Sequence, residues 1–260
     1  MTSALSEALT TVADTLSPEQ IEQLEQMRFG LYGYFGRLLD SGKIDEGVFY
    51  TVVVLFAIAA YFIGSLNFAV IISKLKFGED IRTKGSGNAG ATNMSRTYGK
   101  AAGAFTLIGD IMKTVVPVLL AKYLIGDTFG YLVGLFCAIG HAFPCYYKFK
   151  GGKGVAVTAA VVLVMEPLVF LFLLIIFVVT VAATKYVSLG SVLTACIMPI
   201  LLSNFAVVKY NNSHLGIVFS IINAVLVVFL HRENIKRLYQ GKENKFSFKK
   251  KKKENKGEEN

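Results

Sequence analysis

Long apolar runs dominate the chain, at residues 48–72, 104–125, 129–145, 155–165, 168–183, 189–207 and 215–230, with short polar stretches between them. About 20 apolar residues cross a hydrocarbon core of about 30 Å as a helix, so the pattern predicts an all-α integral membrane protein with seven transmembrane helices. The run at 155–165 is short for a crossing and is stopped by Glu166 and Pro167. In the second run Asp110 and Lys113 lie three residues apart on one helix face, and are expected to pair near the interface. Pro117 is expected to kink that helix.

The polar stretches carry the chemistry. In residues 79–100, Gly85, Gly87 and Gly90 let backbone N–H groups come close to a ligand, Ser86, Asn88, Thr92 and Asn93 supply short hydrogen bonds, and Arg82, Lys84, Arg96 and Lys100 favour an anion. That combination reads as a phosphate cradle. The glycines also spell G-x-G-x-x-G, but no strand precedes them and no βαβ unit follows, so a dinucleotide site is not indicated. A second stretch, Gly151, Gly152, Lys153 and Gly154, stands before the 155–165 run, where free helix N–H groups and a lysine suit an anion. Gly154 occupies the place of the Ser or Thr of a Walker A loop, which rules that motif out. Ser191 opens the sixth run, and His231 and Asn234 follow the seventh.

Composition agrees with the membrane reading. The chain is 53% hydrophobic and 17% charged with a mean hydropathy of +0.53, too apolar for an ordinary soluble domain. The net charge of +9 lies mostly in short loops and the tail, so it reads as an orientation signal and headgroup contact, not as a nucleic-acid surface. Lys74, Lys76, Arg82, Lys84, Arg96, Lys100, Lys148, Lys150, Lys153, Lys185 and the basic tail fall on one side of seven crossings, leaving Lys122, Lys209 and a mainly acidic N-terminal stretch on the other. By the positive-inside rule the N-terminus is then outside, the C-terminus cytoplasmic, and every polar stretch above cytoplasmic. Residues 1–48 are expected to form a peripheral or interfacial extension, with a helix start at Ser17 and Pro18, residues 49–240 the seven-span domain, and residues 241–260 a lysine-rich disordered tail. Cys137, Cys145 and Cys196 lack metal-ligand spacing and are expected to fill the core.

Four segments together carry a resemblance. Gly-Ser-Gly-Asn-x-Gly-Ala-Thr-Asn-x-x-Arg at 85–96, His-x-Phe-Pro and then Phe-Lys-Gly-Gly-Lys-Gly-Val-Ala within 141–156, Tyr-Val-Ser-Leu-Gly-Ser at 186–191 and His-Arg-Glu-Asn-Ile-x-Arg-Leu at 231–238 closely resemble the bacterial acyl-phosphate:glycerol-3-phosphate acyltransferase family, PlsY. The resemblance spans roughly residues 50–242. It implies a multi-pass enzyme of the bacterial plasma membrane that moves an acyl chain from acyl phosphate to the sn-1 hydroxyl of glycerol 3-phosphate, the first step of phospholipid synthesis, with no cofactor and no metal. It further implies that Ser86, Arg96, His231 and Asn234 are catalytic. Gly85, Gly87, Asn88, Gly90, Thr92 and Asn93, with Gly151, Gly152, Lys153, Gly154 and Ser191, would hold phosphate. Glu233 would be structural, holding Arg232 or a backbone group, and His141 would pack or hold a loop. The implied partners are acyl phosphate, glycerol 3-phosphate and the bilayer; docking of a soluble transacylase that forms acyl phosphate stays open, and no nucleic acid is expected.

The residues alone leave two proton acceptors for such a reaction: His231 as general base, or a phosphate oxygen of the donor with His231 orienting the acceptor. Neither an H-x4-D acyltransferase nor a CDP-alcohol phosphotransferase fits. Tyr146, Phe219 and Lys236 stand where the first needs aspartate, and Asp110 is alone in its run where the second needs several. A transporter would carry polar groups at mid-span and internal repeats, whereas here they crowd at run ends.

Overall fold

A computed structural model describes residue 17 and residues 33–209 and 214–246. Pro18 and the rest of the expected helix after Ser17, the turn at 210–213 and the end of the lysine tail lie outside the described residues. Every regular element described is helical: α1 (Tyr34–Asp40), α2 (Glu46–Gly64), α3 (Phe68–Phe77), α4 (Ala91–Tyr98), α5 (Lys100–Leu124), α6 (Phe129–Ala142), α7 (Val155–Met165), α8 (Pro167–Thr184), α9 (Val187–Lys209), α10 (His214–Leu230) and α11 (Arg232–Tyr239).

Among the described residues five stretches are long and apolar enough to cross a membrane: Glu46–Phe77, α5, Phe129–Tyr147, α8 and Val187–Asn204. α10 and α11, bent by 57° at His231, make a sixth if taken together, and α7 is the shorter apolar helix. α11 carries Glu233, Lys236 and Arg237 in eight residues, in contrast to the apolar α10 before it.

The first apolar run, expected as one helix over 48–72, is broken. α2 starts on the side chain of Asp45, which accepts from the Val48 N–H at 2.8 Å, and stops at Gly64. Asn67 then starts α3 by accepting from the Val70 N–H at 3.1 Å. A residue that caps a new helix competes with continuation of the old one, and Ser65-Leu66-Asn67 is too short a break to show in a hydropathy reading averaged over the long apolar run.

Small residues let the bundle close. A methyl group added to Gly64 would overlap the Cys137 backbone, and one on Gly140 the Tyr61 carbonyl, so α2 and α6 pack backbone to backbone. α7 is surrounded, burying Val157, Thr158, Ala160, Val161, Val162 and Met165, whereas α8 buries only Val169 and presents Leu171, Ile175 and Val178 outward as a lipid-facing helix does. Cys137 is buried, but Cys145 is partly exposed and Cys196 exposed on an apolar helix, so only the first fills the core as expected. Of the N-terminal stretch, α1 and the segment after it set Phe35, Leu39 and Ile44 against the α2–α6 core, and Gly33 lies on the Leu124–Ile125 backbone.

Candidate active site

The polar segments assemble at one end of the bundle, built first from the loop between α3 and α4. Gly78, at φ +69°, ends α3, and a short 3-10 turn over Ile81–Thr83 is pinned by fully buried Ile81, whose N–H donates to Ser73 Oγ at 3.1 Å. Gly85 and Gly87 sit at φ +58° and +73°, a region that strains any side chain but glycine. Asn93 holds the loop from inside. Its Oδ1 accepts from the Ser86 N–H at 2.9 Å, and its Nδ2 donates to the carbonyls of Lys84 and Asn88 at 3.0 Å each. Asn93 is 1% exposed, so this expected phosphate ligand is instead the loop's internal brace. Ser86 and Arg96 are exposed. The guanidinium of Arg96 makes no hydrogen bond or ion pair with any described residue.

The second loop leaves α6 through Lys148 and Phe149, both at φ +56°, an uncommon pair of left-handed residues of the kind that persists where the surroundings impose it. Gly151 and Gly152 donate their N–H groups to the Ala142 and His141 carbonyls at 3.1 Å each, so these glycines hold the turn and do not offer those N–H groups to an anion. A methyl group on Gly152 would overlap the His141 ring at Nε2 and come within 2.8 Å of the Ala89 carbonyl, which places the second loop directly on the first. Arg82 ties the two together. It pairs with Asp80 at 2.7 Å and donates Nη1 to the carbonyls of Tyr147 and Lys150 at 2.8 and 3.1 Å, beside a cleft of about 380 Å³. This bracing lowers the Asp80 carboxyl below its ordinary value, chiefly through the Arg82 hydrogen bond.

The last motif closes on this pair of loops. Lys153 donates its Nζ to Asn234 Oδ1. The Asn234 amide is held the other way by Glu243, whose Oε1 accepts from Asn234 Nδ2 at 2.7 Å and Ser188 Oγ at 3.0 Å, while its Oε2 accepts from Arg237 Nε at 2.7 Å. Glu243 is reached because the chain after α11 turns back over the start of α9, where the Phe246 N–H donates to the Lys185 carbonyl at 2.7 Å. Residues 241–246 are therefore part of the folded site, although the sequence places them in a disordered tail. Ser191 is buried with its hydroxyl donated to the Val187 carbonyl at 2.9 Å, so it must rotate to donate to a ligand.

Electrostatics follow from this packing. Burial, aided by the Arg237 cation and opposed by Glu243, brings Lys153 down from 10.5 to about 8. Burial and then the Lys153 cation push His231, which stands just beyond the end of α10, from 6.5 to about 4. The imidazole is neutral at physiological pH. Its Nδ1 lies 2.8 Å from the Val227 carbonyl, which only accepts, so Nδ1 carries the hydrogen and Nε2 keeps its lone pair. Burial would raise Glu243, but hydrogen bonds from Asn234, Arg237 and Ser188 hold it below the usual range.

The structure thus joins Lys153 and Asn234 directly, sets His231 near enough to feel the Lys153 charge, and joins the two glycine loops through Gly152, Ala89 and Arg82, with Ser86 and Arg96 exposed. Asn88 and Gly90 remain in the first loop and Thr92 in the first turn of α4, all half-buried, and Gly154, at φ +78°, precedes α7. Two sequence expectations change. Glu233 is exposed and has no hydrogen-bond partner among the described residues, and Arg232 instead donates to the Phe229 carbonyl at 3.1 Å. The structural glutamate is Glu243, and its only sequence signal is that it is the first acidic residue of a lysine-rich run.

Residues 54–241 match the sequence model of the family described as glycerol-3-phosphate acyltransferase. The chain is 41% identical over 203 residues to the glycerol-3-phosphate acyltransferase of Clostridioides difficile (strain 630), covering 76% of this chain and 97% of that one. It is 45% identical over 192 residues to that of Thermoanaerobacter sp. (strain X514), covering 74% and 94%. The fold is similar to the crystal structure of PlsY (YgiH), an integral membrane glycerol 3-phosphate acyltransferase, in its glycerol 3-phosphate form, with a TM-score of 0.70 and 35% identity over 75% of this chain and 96% of that one. The lysophosphatidic acid form of the same enzyme gives 0.67 and 34%.

Proposed function

The chain belongs to the glycerol-3-phosphate acyltransferase family, and from that premise we propose that it moves a fatty acyl group from acyl phosphate to the sn-1 hydroxyl of glycerol 3-phosphate. The products are lysophosphatidate and inorganic phosphate. The observation that carries this reading is the contact of Lys153 with Asn234, which sets a half-buried cation of the second loop near the neutral His231 of the last motif. A cation paired with neutral hydrogen-bonding groups in this way suits a phosphate-bearing acceptor.

Glycerol 3-phosphate binds by its phosphate to Lys153, with Arg96 and Ser86 closing over it from the first loop. Its sn-1 hydroxyl lies against His231 Nε2, whose lone pair accepts the hydroxyl hydrogen bond and aims the oxygen. That oxygen attacks the acyl carbonyl carbon, and the bond from this carbon to the phosphate oxygen breaks. An imidazole with a pKa of about 4 is a weak base at neutral pH, so the hydroxyl proton passes to the departing phosphate, and His231 orients. Because acyl phosphate is already activated, holding the two reactants in line and stabilising the developing charge supply the acceleration.

In the membrane, α7 and α10 complete seven crossings with the five longer stretches, the N-terminus is outside and the site lies on the cytoplasmic face of the bacterial plasma membrane. The clustering of Arg82, Lys84, Lys148 and Lys150 at the site end supports that side by the positive-inside rule. Purified protein supplied in parallel with acyl phosphate, acyl-CoA and acyl-carrier protein tests the reading. Lysophosphatidate formed from acyl phosphate alone supports it, and use of a thioester in its place refutes the donor assignment.

A further inference from the structure

A charged cluster lies inside the bundle beneath the two loops. Lys113 on α5 brings its Nζ to 2.6 Å from the Leu66 carbonyl, 2.9 Å from His141 Nδ1 on α6 and 2.8 Å from Asp110 Oδ1, with Lys113, Asp110 and His141 side chains each under 5% exposed. Pairing of Asp110 with Lys113 was expected from their spacing, at the interface; burial and the third partner were not. A lysine ammonium only donates, so His141 Nδ1 accepts and the ring hydrogen sits on Nε2, the edge packed on Gly152. The contact to Asp110 is an ion pair without hydrogen-bond alignment, and Asp110 Oδ1 has no aligned donor among the described residues.

Each partner of the ammonium leads to one of the two loops. Leu66 precedes Asn67, whose Nδ2 donates to the Ala89 carbonyl of the first loop at 3.2 Å. His141 accepts the Gly152 N–H of the second loop on its carbonyl and packs its ring on the same glycine. The break between α2 and α3 thus has a counterpart in the bundle: Lys113 takes one of the carbonyls that the interrupted helix leaves free. A buried ion pair adds little stability compared with apolar residues of the same volume, so its place here calls for another role.

We propose that Lys113 is a positioning residue for the acyl transfer. By holding Leu66 and His141 together it sets the spacing between the first loop, which carries Ser86 and leads into α4 with Arg96, and the second, which carries Lys153, and so the distance between the groups that would hold phosphate. What is positioned rests on the function proposed above.

The test compares Lys113→Met with the double variant carrying Asp110→Asn as well, each as purified full chain beside the wild type. The double variant removes both charges and should unfold within a few degrees of the wild type, yet its KM for glycerol 3-phosphate should rise about tenfold or more and its kcat should fall, because misplacement by about 1 Å can cost about 100-fold. Wild-type kinetics in the double variant, or a double variant that does not fold, overturns the proposal and leaves Lys113 a structural residue. Wild-type protein inactive with acyl phosphate in the same assay would count against the function above, and not against the spacing role, which glycerol 3-phosphate affinity then decides by the same comparison.

Discussion

In the free protein Lys153 gives up its proton at about pH 8 in place of its ordinary 10.5, through burial first and the Arg237 cation second. At about 1.4 kcal/mol per pH unit that difference disfavours the protonated side chain by about 3 kcal/mol. A bound phosphate dianion reverses the balance, so the complex should keep the proton to higher pH than the free protein. The sign then differs between two observables. Above pH 8 the free protein loses the cation that binds phosphate, so kcat/KM for glycerol 3-phosphate should fall about tenfold per pH unit, while kcat, which reports the complex, stays level further up the scale. The fold itself should gain stability between pH 8 and 10.5, because there the unfolded chain binds more protons than the folded one. Steady-state kinetics at pH 6.5 to 10 read the first effect, and calorimetry at pH 8.5 in buffers of different ionisation enthalpy should show proton uptake on binding. Lys153→Arg keeps the charge and should lose the basic limb. A kcat/KM flat to pH 9.5, or a limb that survives Lys153→Arg, would refute the reasoning.

Glu243→Ala should cost turnover about tenfold or more by freeing the Asn234 amide, since a buried charged acceptor of three hydrogen bonds is removed, whereas Glu233→Ala should leave kinetics within about twofold; equal effects would contradict the assignment. His231→Ala should keep measurable activity, and the wild-type profile should show no limb near pH 6.5, with an acid limb, if resolved, near 4; a limb near 6.5 that vanishes in the variant would make His231 the base. Asn93→Ala should lower unfolding stability by about 2 to 4 kcal/mol through its unpaired loop groups, seen as a lower unfolding midpoint; an unchanged midpoint would mean the loop is held otherwise.

Much of the fold was legible because lipid imposes one rule, that backbone groups be paired within the segment, and runs at 104–125, 168–183 and 215–230 then fall within a few residues of α5, α8 and α10. The break at Asn67 was not, since a single capping side chain leaves little trace in a hydropathy sum over a long apolar run. At the site, Lys153, His231 and Asn234 were legible through residue type and motif order. Which polar groups face a ligand and which brace the loop was not: Asn93, Gly151 and Gly152 have the chemistry of phosphate ligands and are used by the backbone around them. Glu243 and the His141 contact to Lys113 depend on chain reversal and on packing between helices, which no local pattern encodes.

The central claim is that the two glycine loops and the last motif hold one phosphate. A crystal structure of this chain with glycerol 3-phosphate tests it most directly. The phosphate is expected within hydrogen-bond reach of both Lys153 Nζ and the Arg96 guanidinium, with the sn-1 hydroxyl at His231 Nε2; a phosphate bound near one of these cations and out of reach of the other would contradict it.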